Sequence, residues 1–168
     1  MTRAAKATGS TAPDAQAGAD PKVLLFYRKP VALNREIHRG LRYKSLPANF
    51  DFARSVNSVP LAVAEFVAVA REFPILFAGN SPENLAASAL LVLRVNENLF
   101  VDPSGAWTGD YIPAFVRRYP FVLAQQGQQD FTVCVDESHA GFSRDEGEAL
   151  FDAEGKEQPL RRQGMDIP

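Results

Sequence analysis

The longest apolar run in the chain, Val59 to Ala70, is broken at Glu65 and followed closely by Pro74. A membrane-spanning helix needs roughly 20 consecutive apolar residues, and no segment of this sequence supplies them. The same run carries helical spacing, with Val63, Phe66, Val67, Ala70 and Phe73 on one face and Glu65, Ala68 and Glu72 on another stripe. Ser58 suits an N-cap, and Pro60 suits the first turn, where its missing N–H costs nothing. Pro74 disfavours the α region at Phe73 and so stops the helix. The pattern predicts one substantial helix, over about 59–73.

Everything after Pro74 is cut into short pieces. Ile75 to Ala78 reads as a short buried strand ending at Gly79, and Asn80 to Asn84 as a loop. Ala86 to Val95 and Leu99 to Val101, joined by the polar turn Asn96-Glu97-Asn98, predict an antiparallel ribbon, because parallel pairing needs a longer crossover. Asp102-Pro103-Ser104-Gly105 is a strong turn signal. Ile112 to Arg118 predicts a short helix with Pro113 in its first turn, ended at Tyr119-Pro120. Phe121 to Ala124 and Phe131 to Val135 predict paired strands across the polar turn 125–130, and Glu146 to Phe151 a further short helix. The class that follows is α+β: a mainly antiparallel sheet with one helix over about 59–73 and short helical segments.

At 168 residues the chain can bury one core. Residues 1–22 (MTRAAKATGSTAPDAQAGADPK) lack the apolar stretch of a signal peptide and read as a flexible tail. A single domain is expected over 23–160, with a short tail at 161–168. A formal net charge of -2 argues against nucleic-acid binding through a basic surface. Positive residues nevertheless gather early (Arg28, Lys29, Arg35, Arg39, Arg42, Lys44, Arg54), and the stretch from Asp136 to Glu157 is acidic. That asymmetry fits a basic contact face; it fits equally two ends that neutralise each other in the fold, which is the plainer reading. The single cysteine, Cys134, cannot close an intramolecular disulfide, which suits the cytoplasm.

The catalytic inventory is thin. Only His38 and His139 can act as a histidine base, and Cys134, alternating with Val133 and Val135, reads as a buried thiol in a strand. Asp136, Glu137 and His139 form a mixed oxygen and nitrogen set of the kind that binds a divalent ion, without any established metal-ligand spacing; a solvated acidic loop is the plainer account. His38 lies among arginines that repel a cation. Neither phosphate-loop pattern occurs, and nothing requires a cofactor. The most suggestive group is Arg117-Arg118 among Trp107, Tyr111, Phe115 and Tyr119. Guanidinium forks match carboxylates and phosphates, and aromatics beside Arg are the composition of interface hot spots. A helix packed on a sheet with an Arg-rich edge has the same composition.

That stretch also carries a family resemblance. Asn96-Glu97-Asn98-Leu99-Phe100-Val101, Gly105-Ala106-Trp107 and the block Tyr111 to Phe121 resemble the central signature of the SapC family. Val59-Pro60-Leu61, Glu65-Phe66 and Phe73-Pro74-Ile75 upstream, and Cys134 to Glu137 and Gly147 to Gly155 downstream, extend the resemblance over Phe26 to Leu160. It implies a role beside surface-layer or outer-membrane uptake systems and transfers no catalytic residues. The peptide-permease label attached to some members conflicts with the lack of a membrane span. Family members usually continue beyond the position of Leu160 with a mostly helical segment, so the resemblance implies an incomplete domain here.

Three functional readings stand at this point. The first is a non-enzymatic cytoplasmic interaction protein with a protein partner and a contact surface on Trp107, Tyr111, Arg117, Arg118 and Tyr119. The second is an enzyme or enzyme subunit for peptide or protein side-chain modification, using a metal at Asp136, Glu137 and His139. The third is a small-anion sensor built on the two arginines.

Overall fold

Alternation along Phe121 to Val135 produces the longest hairpin of the structure, a computed structural model that describes residues 25–46, 49–126 and 130–156. In chain order the strands are β1 (Pro30–Ala32), β2 (Arg42–Tyr43), β3 (Ser58–Pro60), β4 (Ile75–Ala78), β5 (Ala86–Leu90), β6 (Phe121–Gln126), β7 (Asp130–Asp136), β8 (Phe142–Ser143) and β9 (Glu148–Ala149). They form three small sheets, ordered β1-β7-β6, β8-β2-β9 and β3-β5-β4. Every strand pair among the described residues is antiparallel. Among the described residues, helix is confined to a 3-10 turn at Val63–Glu65 running into α1 (Phe66–Val69), to α2 (Ala114–Arg117) and to 3-10 turns at Asp51–Ala53 and Pro82–Asn84. The mainly antiparallel expectation holds. The expected tails at 1–22 and 161–168 lie outside the described residues, as does the middle of the polar turn at 125–130.

The expected helix over 59–73 is corrected. Val59 is fully buried and pairs with Ala89 in β3, and Ser58 belongs to the strand instead of capping a helix. Pro60 is tolerated there because it stands opposite Ser88 at the non-hydrogen-bonded position, between the Val59–Ala89 pair and the Leu61 N–H donated to the Ala87 carbonyl. Helix begins only after Ala62, whose N–H is taken by the Glu65 carboxylate at 3.2 Å. The buried stripe is also rotated from the expected one. Glu65, Val69 and Phe73 point inward, while Val63 and Val67 are 78 and 84 % exposed.

Other departures have equally local causes. β4 forms as expected, but as an edge strand whose Leu76 and Phe77 are exposed. Leu99 to Val101 makes no strand; buried Asn98 ties the segment to the Ala53 carbonyl, and Val101 only bridges to Trp107. β5 therefore pairs with β3 and β4 instead of forming the expected ribbon. The expected helix over Glu146 to Phe151 is absent. Gly147 adopts φ +105°, a conformation a helix does not use, and β9 pairs with β2. The turn at Asp102 to Gly105 forms as read: Asp102 Oδ1 accepts the N–H groups of Ser104 and Ala106, and Gly105 sits at φ +87°.

The core is aromatic at its centre. Phe26 packs on Tyr27, Phe52, Phe115 and Tyr119, and Val59, Val69, Ala89 and Val116 fill the space beside them. The basic N-terminal third and the acidic end lie side by side, because β1 pairs with β7 and β2 with both β8 and β9. Lys29 pairs with Glu137 and Lys44 with Glu146, while Arg39 and Arg42 donate to the carbonyls of Ala153 and Gly147. Part of the charge asymmetry of the sequence is thus met within the fold.

Candidate functional site

Two glutamates from the α1 region hold the segment that carries the arginines. Glu65 Oε1 accepts the Tyr111 hydroxyl at 2.9 Å and the Ala114 N–H at 2.6 Å, at the start of α2. Glu72 accepts the N–H groups of Asp110 and Tyr111 at 3.0 and 2.9 Å. Both carboxylates therefore satisfy backbone donors that no strand or helix bond would reach. Burial and the neighbouring Glu65 carboxylate push the Tyr111 phenol above its ordinary pKa.

The five residues of the expected contact surface divide into three situations. Trp107 stacks on Phe100, meets Phe50 and Phe73, and donates its indole N–H to the Tyr111 carbonyl at 3.0 Å. Tyr119 stacks on Phe52 with ring centroids 4.1 Å apart and donates to Asp136 Oδ2 at 3.3 Å. These two rings are half-buried and face the core. The Arg117 guanidinium lies over the Tyr111 ring, 5.4 Å from its centroid, with one nitrogen 3.3 Å from the hydroxyl. Arg118 lies over Phe115 at 4.0 Å. Neither arginine makes an ion pair among the described residues. Arg117 Nε and Arg118 Nε and Nη2 are buried with no hydrogen-bond acceptor among the described residues.

Asp136, Glu137 and His139 do not converge into a metal site. The Asp136 side chain is fully buried and saturated: Oδ1 accepts from Lys29 N–H and from both donors of Ser138, and Oδ2 from Arg28 N–H and Tyr119. Burial pushes its carboxyl up, but the Ser138 hydroxyl and the N–H groups of Arg28, Ser138 and Lys29 outweigh this and hold it below the usual aspartate range. Glu137 points elsewhere, to Lys29 Nζ at 2.6 Å and His38 Nε2 at 3.1 Å, and those bonds lower its pKa. Asn34 N–H donates to His38 Nδ1 at 2.9 Å, which leaves the proton on Nε2 to reach Glu137. His139 is sandwiched among Tyr43, Tyr119 and Phe142, accepts the Gly141 N–H through Nδ1, and has its pKa lowered by burial. No group of three or more His, Cys, Asp or Glu side chains among the described residues is arranged to hold a metal.

Cys134 is a buried free thiol whose pKa burial raises. It reads as core, not nucleophile. The residues missed in the sequence are Glu65 and Glu72, the braces of α2. One signal was available: Glu65, Val69 and Phe73 recur every four residues, so a carboxylate shares a helical face with two core side chains.

A family model, SapC, matches residues 33–167. No curated protein and no solved structure matches the chain. No helix among the described residues is long and apolar enough to cross a membrane.

Proposed function

The chain belongs to the SapC family, and from that premise we propose that it is a non-enzymatic interaction protein whose contact site is the guanidinium pair Arg117, at the end of α2, and Arg118, its C-cap. Trp107, Tyr111 and Tyr119 serve this site as its frame: their rings and hydrogen bonds hold α2 against the core. The partner group is an acidic side chain, and the partner belongs with the surface-layer or outer-membrane uptake systems that the family resemblance implies.

One observation supports the reading above all others. Two adjacent, permanently charged side chains are stacked on aromatic rings without a carboxylate partner among the described residues, where three of their nitrogens have no acceptor. A buried donor left unpaired costs about 1–3 kcal/mol. An incoming carboxylate would offset that cost as the guanidinium groups turn toward it, with the bidentate geometry arginine favours. The carboxylates at Glu65, Glu72, Asp136 and Glu137, by contrast, are already committed to internal donors.

The test is partner capture followed by direct titration with the identified partner. The double variant Arg117→Ala/Arg118→Ala should lose binding, and Arg117→Lys/Arg118→Lys should retain only part of it, because lysine keeps charge without the fork. Unchanged binding by the alanine pair would remove the site. The same unpartnered nitrogens favour a second reading, a small-anion sensor. It predicts that a low-molecular-weight dicarboxylate or phosphate raises the melting temperature of the wild type and not of the alanine pair.

A further inference from the structure

β4 forms one edge of the β3-β5-β4 sheet. In the β4–β5 pairing, Leu90 N–H bonds the Pro74 carbonyl, so the alternation of an antiparallel ladder makes Leu76–Ser88 and Ala78–Ala86 the hydrogen-bonded pairs. The N–H and C=O groups of Ile75 and Phe77 then point away from β5. β4 is the edge of its sheet, and no other strand or helix packs extensively along it among the described residues. Edge strands of this kind are usually blunted by charge, proline or a covering segment. Ile75 to Asn80 contains no ionisable residue and no proline; Pro74 precedes the strand and Pro82 follows it in the next turn.

We propose that a second copy of the chain pairs with this edge, antiparallel, about a twofold axis through Leu76. In that register Ile75 of each copy faces Phe77 of the other, and each such pair exchanges both of its main-chain bonds. Leu76 meets its own counterpart at the close, non-hydrogen-bonded position, where two leucines pack and two like charges would repel. Both faces of the new ribbon are apolar. Leu76 is 45 % exposed on one face, while Phe77, 60 % exposed, lies on the other against Phe66 of α1. Val63 and Val67 extend the apolar surface on the exposed side of the helical segment. Doubled across the axis, full burial of the exposed parts of these four residues would remove about 1,000 Å², below the roughly 1,200 Å² of stable specific interfaces and in the range of transient ones. The dimer is accordingly weak and reversible, and its isologous symmetry closes it at two copies.

Sedimentation equilibrium of the full chain, from low to high micromolar concentration, tests the proposal. A monomer–dimer equilibrium is expected, with amide exchange at Ile75 and Phe77 slowing as concentration rises. Leu76→Lys, which places like charges at the axis, should weaken association at least about tenfold. Phe77→Ser should weaken it too, while Leu123→Lys, on the exposed face of β6, should leave it unchanged. Circular dichroism confirms that each variant is folded. A monomer at every concentration overturns the dimer and leaves the edge to a different strand donor. Dimerisation sensitive to Leu123→Lys but not to Leu76→Lys overturns it in favour of the β6 side. Concentration-independent exchange at Ile75 and Phe77 overturns it without recourse to any variant.

Discussion

Tyr111 donates its phenol hydrogen to Glu65 Oε1 at 2.9 Å, linking residues 46 apart in the chain, and the same oxygen takes the Ala114 N–H that opens α2. A carboxylate on the inner face of one short helix thus decides where another begins. Glu65→Ala should destabilise the fold by about 2–3 kcal/mol, since it leaves three part-buried donors, the Ala62 and Ala114 N–H groups and the Tyr111 hydroxyl, without their acceptor. Glu65→Gln keeps one acceptor oxygen and should cost about 1 kcal/mol. Urea denaturation of the three proteins, compared at equal slope, checks the order.

Asp136 should give the protein an acid-sensitive step. Its folded pKa lies below the ordinary aspartate value, so the stability it contributes is fully present above about pH 3.9 and is lost as pH falls through the lower folded value. Asp136→Asn should cost about 2–3 kcal/mol at neutral pH, because an amide nitrogen then faces N–H and O–H donors. The variant should also lack this part of the acid-limb slope. Denaturation midpoints measured from neutral pH down to the acid limit check both statements.

Tyr119 should act at the opposite end of the scale. Burial, then the charge and hydrogen bond of Asp136, push its phenol up to about 12. A raised folded pKa contributes stability that is present below the unfolded value of about 10 and disappears as pH rises through the folded one. Tyr119→Phe should lose about 1 kcal/mol at neutral pH through the missing hydrogen bond and flatten the alkaline limb. Tyrosinate absorbance should show one fewer late-titrating phenol.

Arg118→Met should separate stability from binding. The substitution removes two buried, unpartnered donors and keeps an apolar contact on Phe115. Stability should hold or rise by up to about 1 kcal/mol, while affinity for an acidic partner falls. A large loss of stability would show that the guanidinium is there for the fold.

Features with local causes were legible from the residues themselves. The Phe121 and Phe131 strands, the Asp102 to Gly105 turn and the short helix after Pro113 follow from alternation, from Asx and glycine chemistry, and from proline at a helix start. The helix over 59–73 failed because its periodicity was real but its beginning was not local. Val59 is β-branched and apolar in either state, and only its pairing with Ala89, thirty positions away, selects the extended one. The candidate site was half legible. Aromatics and arginines together singled out the segment, but nothing in their spacing shows that Trp107 and Tyr119 face inward.

The sequence alone determined a chain of short elements without a membrane-spanning helix, its turns, and its membership of the SapC family. Only the tertiary structure decided which polar groups are structural. Glu65, Glu72 and Asp136 resemble solvated acids in one dimension, and they become internal acceptors because their donors come from segments distant in the chain. Hydrogen-bond satisfaction in a core is a property of neighbours in space, and periodicity along a chain reports only which neighbours are possible.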